Sequence, residues 1–140
     1  KKGERQAARM AAWLDRHLPE GARVLVSPAA RTQQTVAPLA RKFKLRDELV
    51  PETSVEDVLA LLKWDPETGP QLKGPVLLVG HQPYLGQLVA KLLGMKEDAC
   101  PVRKGSVWWL RTRVREGQLQ TVLLTVVCPD LISRSWDDRS

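Results

Sequence analysis

The chain of 140 residues is poor in the residue types that build many active sites, with two cysteines, two histidines, one tyrosine and one phenylalanine. Cys100 and Cys128 lie far apart, each before a proline, in a spacing that fits no zinc or thiol-redox motif. Both read as small buried hydrophobes in a reducing compartment. No apolar run approaches the roughly 20 residues of a membrane span, and no apolar segment behind a basic start marks a secretory signal. A cytoplasmic location without membrane association is expected. Phosphate-loop, dinucleotide-binding, His-Glu-x-x-His and Gly-x-Ser-x-Gly motifs are absent, so no cofactor and no metal is expected. A net charge of +6 and a pI near 9.7 point to an anionic partner: phosphate, nucleic acid or an acidic protein. Solvated Lys and Arg on helix faces account for most of that charge. No run of five basic residues occurs, and the aromatics are not interleaved with Arg and Lys, so nothing argues for nucleic acid.

What is present is a periodic pattern with 43% hydrophobic residues, enough for one globular core. Ala7, Met10, Ala11, Leu14 and Leu18 recur at helical spacing in a segment closed by Pro19 and Gly21. Arg23–Val26 predicts a buried strand, and Thr32–Phe43 a helix whose regularity Pro38 interrupts. A short extended piece is expected at Leu49–Val50. A helix is expected over Val55–Trp64, with Ser54 as N-cap and Asp57 in the capping-box position. Asp65–Gly74 reads as a loop, Pro75–Val79 as a second apolar strand, and Tyr84–Leu93 as a helix stopped by Gly94. Ser106–Val114 and Leu119–Val127 predict a hairpin turned at Glu116-Gly117. Trp108 and Trp109 would then face opposite sides of the hairpin, with at least one in the core. The segment 1–132 is expected to be one domain and Ser133–Ser140 a polar tail.

Apolar strands alternating with helices imply a three-layer α/β/α sandwich around a mainly parallel sheet, with the antiparallel C-terminal hairpin added. Ligands of such sheets bind beyond the carboxyl ends of the strands. Two segments qualify. The first is Ser27-Pro28-Ala29-Ala30-Arg31-Thr32-Gln33-Gln34-Thr35, which sets Arg31 and several hydroxyls where a strand opens into a helix. A guanidinium there can grip a phosphoryl group through two hydrogen bonds. The second is Gly80-His81-Gln82-Pro83, where His81 is a titratable group at the sheet mouth and Gln82 a neighbouring phosphate-binding candidate. His17, near the C-terminal end of a helix, reads as a partner of the helix dipole instead.

These residues resemble a known family. The Leu25–Thr35 segment is similar to the SPxxRxxQT motif of the histidine phosphatase superfamily, and Val79–Pro83 to its second histidine motif. Gly3-Glu4-Arg5-Gln6-Ala7 is similar to the start of its opening helix. The run Gly80–Gly86 and the strand Lys104–Leu110 resemble the SixA-type branch, and the resemblance spans roughly residues 3–130. It implies a phosphoglycerate mutase-like fold and metal-independent transfer of a phosphoryl group to a histidine nucleophile and then to water. Arg31 would correspond to one phosphate-binding arginine and His81 to the second histidine. Glu52 falls in the region where some members carry a general acid. The substrate would be a phosphohistidine protein or a small phosphorylated metabolite. The superfamily's Arg-His-Gly strand has no counterpart before Gly3, and Arg16-His17 lies within a helix. The nucleophile is therefore expected upstream of Lys1. The alternative is a catalytically inactive phosphate-binding or interaction module.

Overall fold

The computed structural model describes residues 2–72 and 74–128. In chain order the elements are α1 (Lys2–His17), β1 (Arg23–Val26), α2 (Ala30–Val36), β2 (Lys44–Leu45), α3 (Val55–Leu61), β3 (Trp64–Asp65), β4 (Gly69–Pro70), β5 (Val76–Val79), α4 (Tyr84–Leu93), β6 (Val107–Arg115) and β7 (Gln118–Val127). The strands β2, β1 and β5 lie side by side, all parallel, with Val24 opposite Leu77 and Val26 opposite Val79.

Because side chains alternate across a strand, the two short apolar strands supply two faces and so two cores. Val24 and Val26, with Leu77 and Val79, pack under α1 and α2 against Ala11, Leu14, Val36 and Leu39. Leu25, with Val76 and Leu78, packs on the other side under α3 and α4 against Val58, Leu59, Leu62, Tyr84 and Leu88. Each Val or Leu buried in this way stabilises by roughly 1.5–3 kcal/mol. The result is the expected α/β/α layering, with the hairpin β6–β7 appended as a separate antiparallel sheet. Its turn carries positive φ at both Glu116 (54°) and Gly117 (76°), the geometry that matches strand twist in a two-residue hairpin turn. Trp109 meets Trp13 of α1 edge to face at 6.0 Å, and the indole N–H of Trp108 is buried without an acceptor among the described residues.

The two four-residue parallel strands, β1 and β5, are covered unequally. Val24, Leu25 and Val26 of β1 are buried, whereas all four residues of β5 are only half-buried. Among the described residues β5 pairs with β1 alone, which leaves its second edge without a strand.

Four segments differ from expectation. The helix expected over Thr32–Phe43 is α2 followed by a 3-10 turn at Ala37–Leu39. Pro38, with no N–H to donate, stands at the start of that turn, and Ala40 in the left-handed region (φ 55°) ends it. The extended piece lies at Lys44–Leu45 rather than Leu49–Val50, because β1 offers its parallel edge to Lys44–Leu45. Asp47–Leu49 coils into a 3-10 turn instead, which drives Leu49 fully into the core. Helix α3 stops at Leu61, since Lys63 takes a positive φ of 52° and Trp64 pairs across to Pro70. The expected loop 65–74 thus contains a small hairpin. Gly69 of that hairpin lies against β6, where an added Cβ would come within 3.1 Å of Thr112 Oγ1. The segment Ser133–Ser140, expected as a tail, lies outside the described residues.

Candidate active site

The site is built where β1 and β5 end together. Their register continues past the strands, with the Ser27 N–H donating to the Val79 carbonyl at 2.9 Å. The loops that follow, Ser27–Ala29 and Gly80–Pro83, therefore leave the sheet side by side. Their closest tie is between side chains: His81 Nε2 lies 2.8 Å from Ser27 Oγ. Ser27 is fully buried, and His81 is half-buried at the rim.

Most polar side chains of the first loop hold the loop itself. Thr32 Oγ1 lies 2.8 Å from both the Ser27 and Ala29 carbonyls, to which it donates. Gln33 Nε2 donates to the Pro28 carbonyl at 2.8 Å, and Thr35 Oγ1 to the Arg31 carbonyl at 2.9 Å. The Thr32 and Thr35 hydroxyls, read from sequence as companions of an anion, are thus committed to backbone. Arg31 is different: it sits in the first turn of α2, exposed, and its guanidinium has no side-chain hydrogen bond or ion pair with the described residues.

The second loop is locked around a buried phenol. The Tyr84 hydroxyl donates to the Leu49 carbonyl at 2.5 Å, and its ring meets the His81 ring edge to face at 6.2 Å. Burial pushes the Tyr84 pKa up to about 12, opposed in part by the His81 backbone N–H, so the hydroxyl keeps its proton. A Cβ on Gly80 would fall on the Tyr84 hydroxyl, so only glycine fits before the histidine. A Cβ on Gly86 would strike the Cys100 carbonyl, in the same place where the Cys100 N–H donates to the Gly86 carbonyl at 2.9 Å. Gln82 fills a support role: its Nε2 donates to the Val102 carbonyl and its Oε1 accepts from the Gly86 N–H, both at 3.0 Å. Both ends of that amide meet backbone, and one N–H of its Nε2 stays available to another acceptor.

Glu52 is exposed in the turn Val50–Thr53 and lines an open groove of about 750 Å³ whose other wall includes Pro83, Gln87 and Lys91. The groove passes within two residues of His81. His17 lies apart from all of this, its Nδ1 donating to the Trp13 carbonyl at 2.8 Å and its ring stacked on Trp13 at 4.4 Å. The two residues that sequence reasoning missed are Ser27 and Tyr84. Ser27 stood inside a quoted motif as an ordinary hydroxyl, and Tyr84 looked like an apolar position of a helix. Their roles depend on contacts 54 and 35 residues away.

No family model matches the chain. It is 30% identical over 107 residues to the phosphohistidine phosphatase SixA homolog of Haemophilus influenzae. That match covers 67% of this chain, and the chain spans 63% of that relative's length. Among solved structures it is similar to a SixA-type protein of Nakamurella multipartitia, with 30% identity, a TM-score of 0.61, and coverage of 91% of this chain and 81% of that one. A second SixA-type structure, from Agrobacterium tumefaciens, shares the fold at 20% identity and a TM-score of 0.60, covering 91% of this chain and 79% of that one. The phosphoglycerate mutase-like layering, the two strand-end loops and these similarities agree, and the chain belongs to the SixA-type branch of the histidine phosphatases.

Proposed function

We propose that this domain is the larger part of a phosphohistidine phosphatase that works without a metal, with Arg31 and His81 holding the phosphoryl group. The observation that carries this reading is the junction at the sheet rim, where His81 is tied to Ser27 at 2.8 Å and Arg31 is left exposed four residues further on. Dispersed negative charge on a transferring phosphoryl group is stabilised by fixed donors of this kind. A histidine nitrogen attacks phosphorus, and the bond from phosphorus to the substrate nitrogen breaks as that nitrogen takes a proton. Water then releases phosphate from the enzyme.

The attacking histidine belongs, in this reading, to a strand upstream of Lys1. His81 is occupied as the Ser27 partner, and His17 is held within α1 by Trp13. Support for such a strand comes from β5, whose apolar residues are half-exposed along an edge that no described strand covers. Glu52 is a candidate for protonating a phosphoester leaving group, a reading supported by its sharing a groove with Pro83.

The test uses the protein extended upstream to include the Arg-His strand, assayed for phosphate release from a phosphohistidine peptide and from small phosphate esters. Turnover of the peptide should fall by about 10²–10³ in Arg31→Ala and in His81→Ala. Wild-type turnover in the double variant sinks the reading. Preference for a small ester assigns the domain to phosphorylated metabolites, and phosphate binding without any turnover assigns it to an inactive module.

A further inference from the structure

Ser27 holds a buried hydroxyl group with an unusual set of partners. Its oxygen is fully buried, and its hydrogen-bond partners among the described residues are the Ala29 N–H at 3.3 Å and His81 Nε2 at 2.8 Å. The Ala29 N–H can only donate, so it uses a lone pair of the Ser27 oxygen. The hydroxyl proton is then left with His81 Nε2 as its acceptor. Leaving a buried O–H without an acceptor is costly, which favours the arrangement in which Ser27 donates and Nε2 accepts. A neutral imidazole that accepts at Nε2 carries its proton on Nδ1.

We infer that Ser27 is the positioning residue that sets the tautomer of His81, keeping Nε2 bare and presenting an Nδ1–H donor to the phosphoryl group. This is the reverse of the form that an unconstrained imidazole favours, so it identifies the constraint. It also gives the first strand-end loop a role in the chemistry of the second. The network Thr32–Ser27 carbonyl and Gln33–Pro28 carbonyl fixes the loop, the loop fixes the hydroxyl, and the hydroxyl fixes the proton on the ring. The catalytic part of the inference rests on the phosphatase reading, whereas the tautomer does not.

The test is nitrogen NMR of the imidazoles at about pH 8, where an ordinary histidine is neutral. The chain has two histidines, and a His17→Gln variant leaves the signals of His81 alone. In that protein the Nε2 resonance should lie at the unprotonated position and Nδ1 at the protonated one. In a Ser27→Ala version the pattern should reverse to the Nε2–H form. A majority of the Nε2–H form in the protein that retains Ser27 overturns the inference, a result that needs no Ser27 variant to fold. An unchanged pattern in folded Ser27→Ala overturns it as well. In the upstream-extended enzyme, Ser27→Ala should lower kcat by about tenfold or more with KM within about twofold. The tautomer can be read on a protein that shows no turnover, so failure of the phosphatase reading and failure of the Ser27 role are separate results.

Discussion

The two loops that leave the ends of β1 and β5 each carry one candidate side chain, Arg31 and His81, and they are built in opposite ways. After β5, Gly80, Gln82, Tyr84 and Gly86 are all committed: a buried phenol under Gly80, an amide clamped between Val102 and Gly86, and a glycine against the Cys100 backbone. His81 is therefore held from its backbone, its ring face and its Nε2. After β1, Thr32, Gln33 and Thr35 tie down the backbone of the loop, but Arg31 projects from it exposed. In the proposed phosphatase that difference suits the chemistry asked of each. A ring that must offer one particular N–H needs orientation, while a guanidinium that stays charged at any working pH needs reach.

Substitutions can sharpen this contrast. The largest effect is expected at Gly80→Ala, where the new methyl group meets the buried Tyr84 hydroxyl and one of the two must move. A loss of about 3 kcal/mol in urea unfolding is expected, together with loss of the His81 ring signals characteristic of the wild type. Stability equal to wild type would mean that the second loop is looser than described.

Next comes Tyr84→Phe, which leaves the buried Leu49 carbonyl without its donor and should cost about 1–3 kcal/mol. Tyr84 is the only tyrosine, so the alkaline absorbance titration reads it alone. Its midpoint should be near 12 in the folded protein against about 10 after unfolding. A folded pKa raised above the unfolded one gives stability that is complete below about pH 10 and is lost as pH rises toward 12. That part of the alkaline decline should be missing from Tyr84→Phe, and a wild-type midpoint near 10 would show the phenol to be open to water.

The smallest stability change is expected at Arg31→Ala, within about 0.5 kcal/mol, because nothing described in the fold rests on that side chain. Gln82→Ala, by comparison, should cost about 1 kcal/mol by releasing the Val102 and Gly86 bonds. Equal costs at the two positions, measured by thermal unfolding, would remove the distinction between an anchored loop and a presenting one.

Much of this architecture was legible from local pattern. The apolar strands at Arg23–Val26 and Pro75–Val79, helices α1, α3 and α4, and the hairpin at Gly117 all announce themselves through periodicity, caps and turn residues within about ten positions. Arg31 and His81 stood out as candidates because strand-end positions in a parallel sheet are few. Misreadings fell where strand pairing overrode local preference: Lys44–Leu45 became a strand because β1 had an edge to offer, and Trp64, expected at the end of a helix, pairs with Pro70 instead. Gln82 drew notice by adjacency to His81, whereas its amide is directed to Val102, 20 residues on.

What the sequence determines by itself is therefore the list of elements, the alternation that makes β1 and β5 two-faced, and the two loops where chemistry can stand. Only the tertiary structure decides which side chains in those loops face each other and which are used as fasteners. The reason is physical. Secondary structure and amphipathic faces arise from neighbours along the chain, but a hydrogen bond such as Ser27 to His81 exists only once the sheet has brought two strand ends into register. That single contact turns a common serine into the group that orients the histidine of the site.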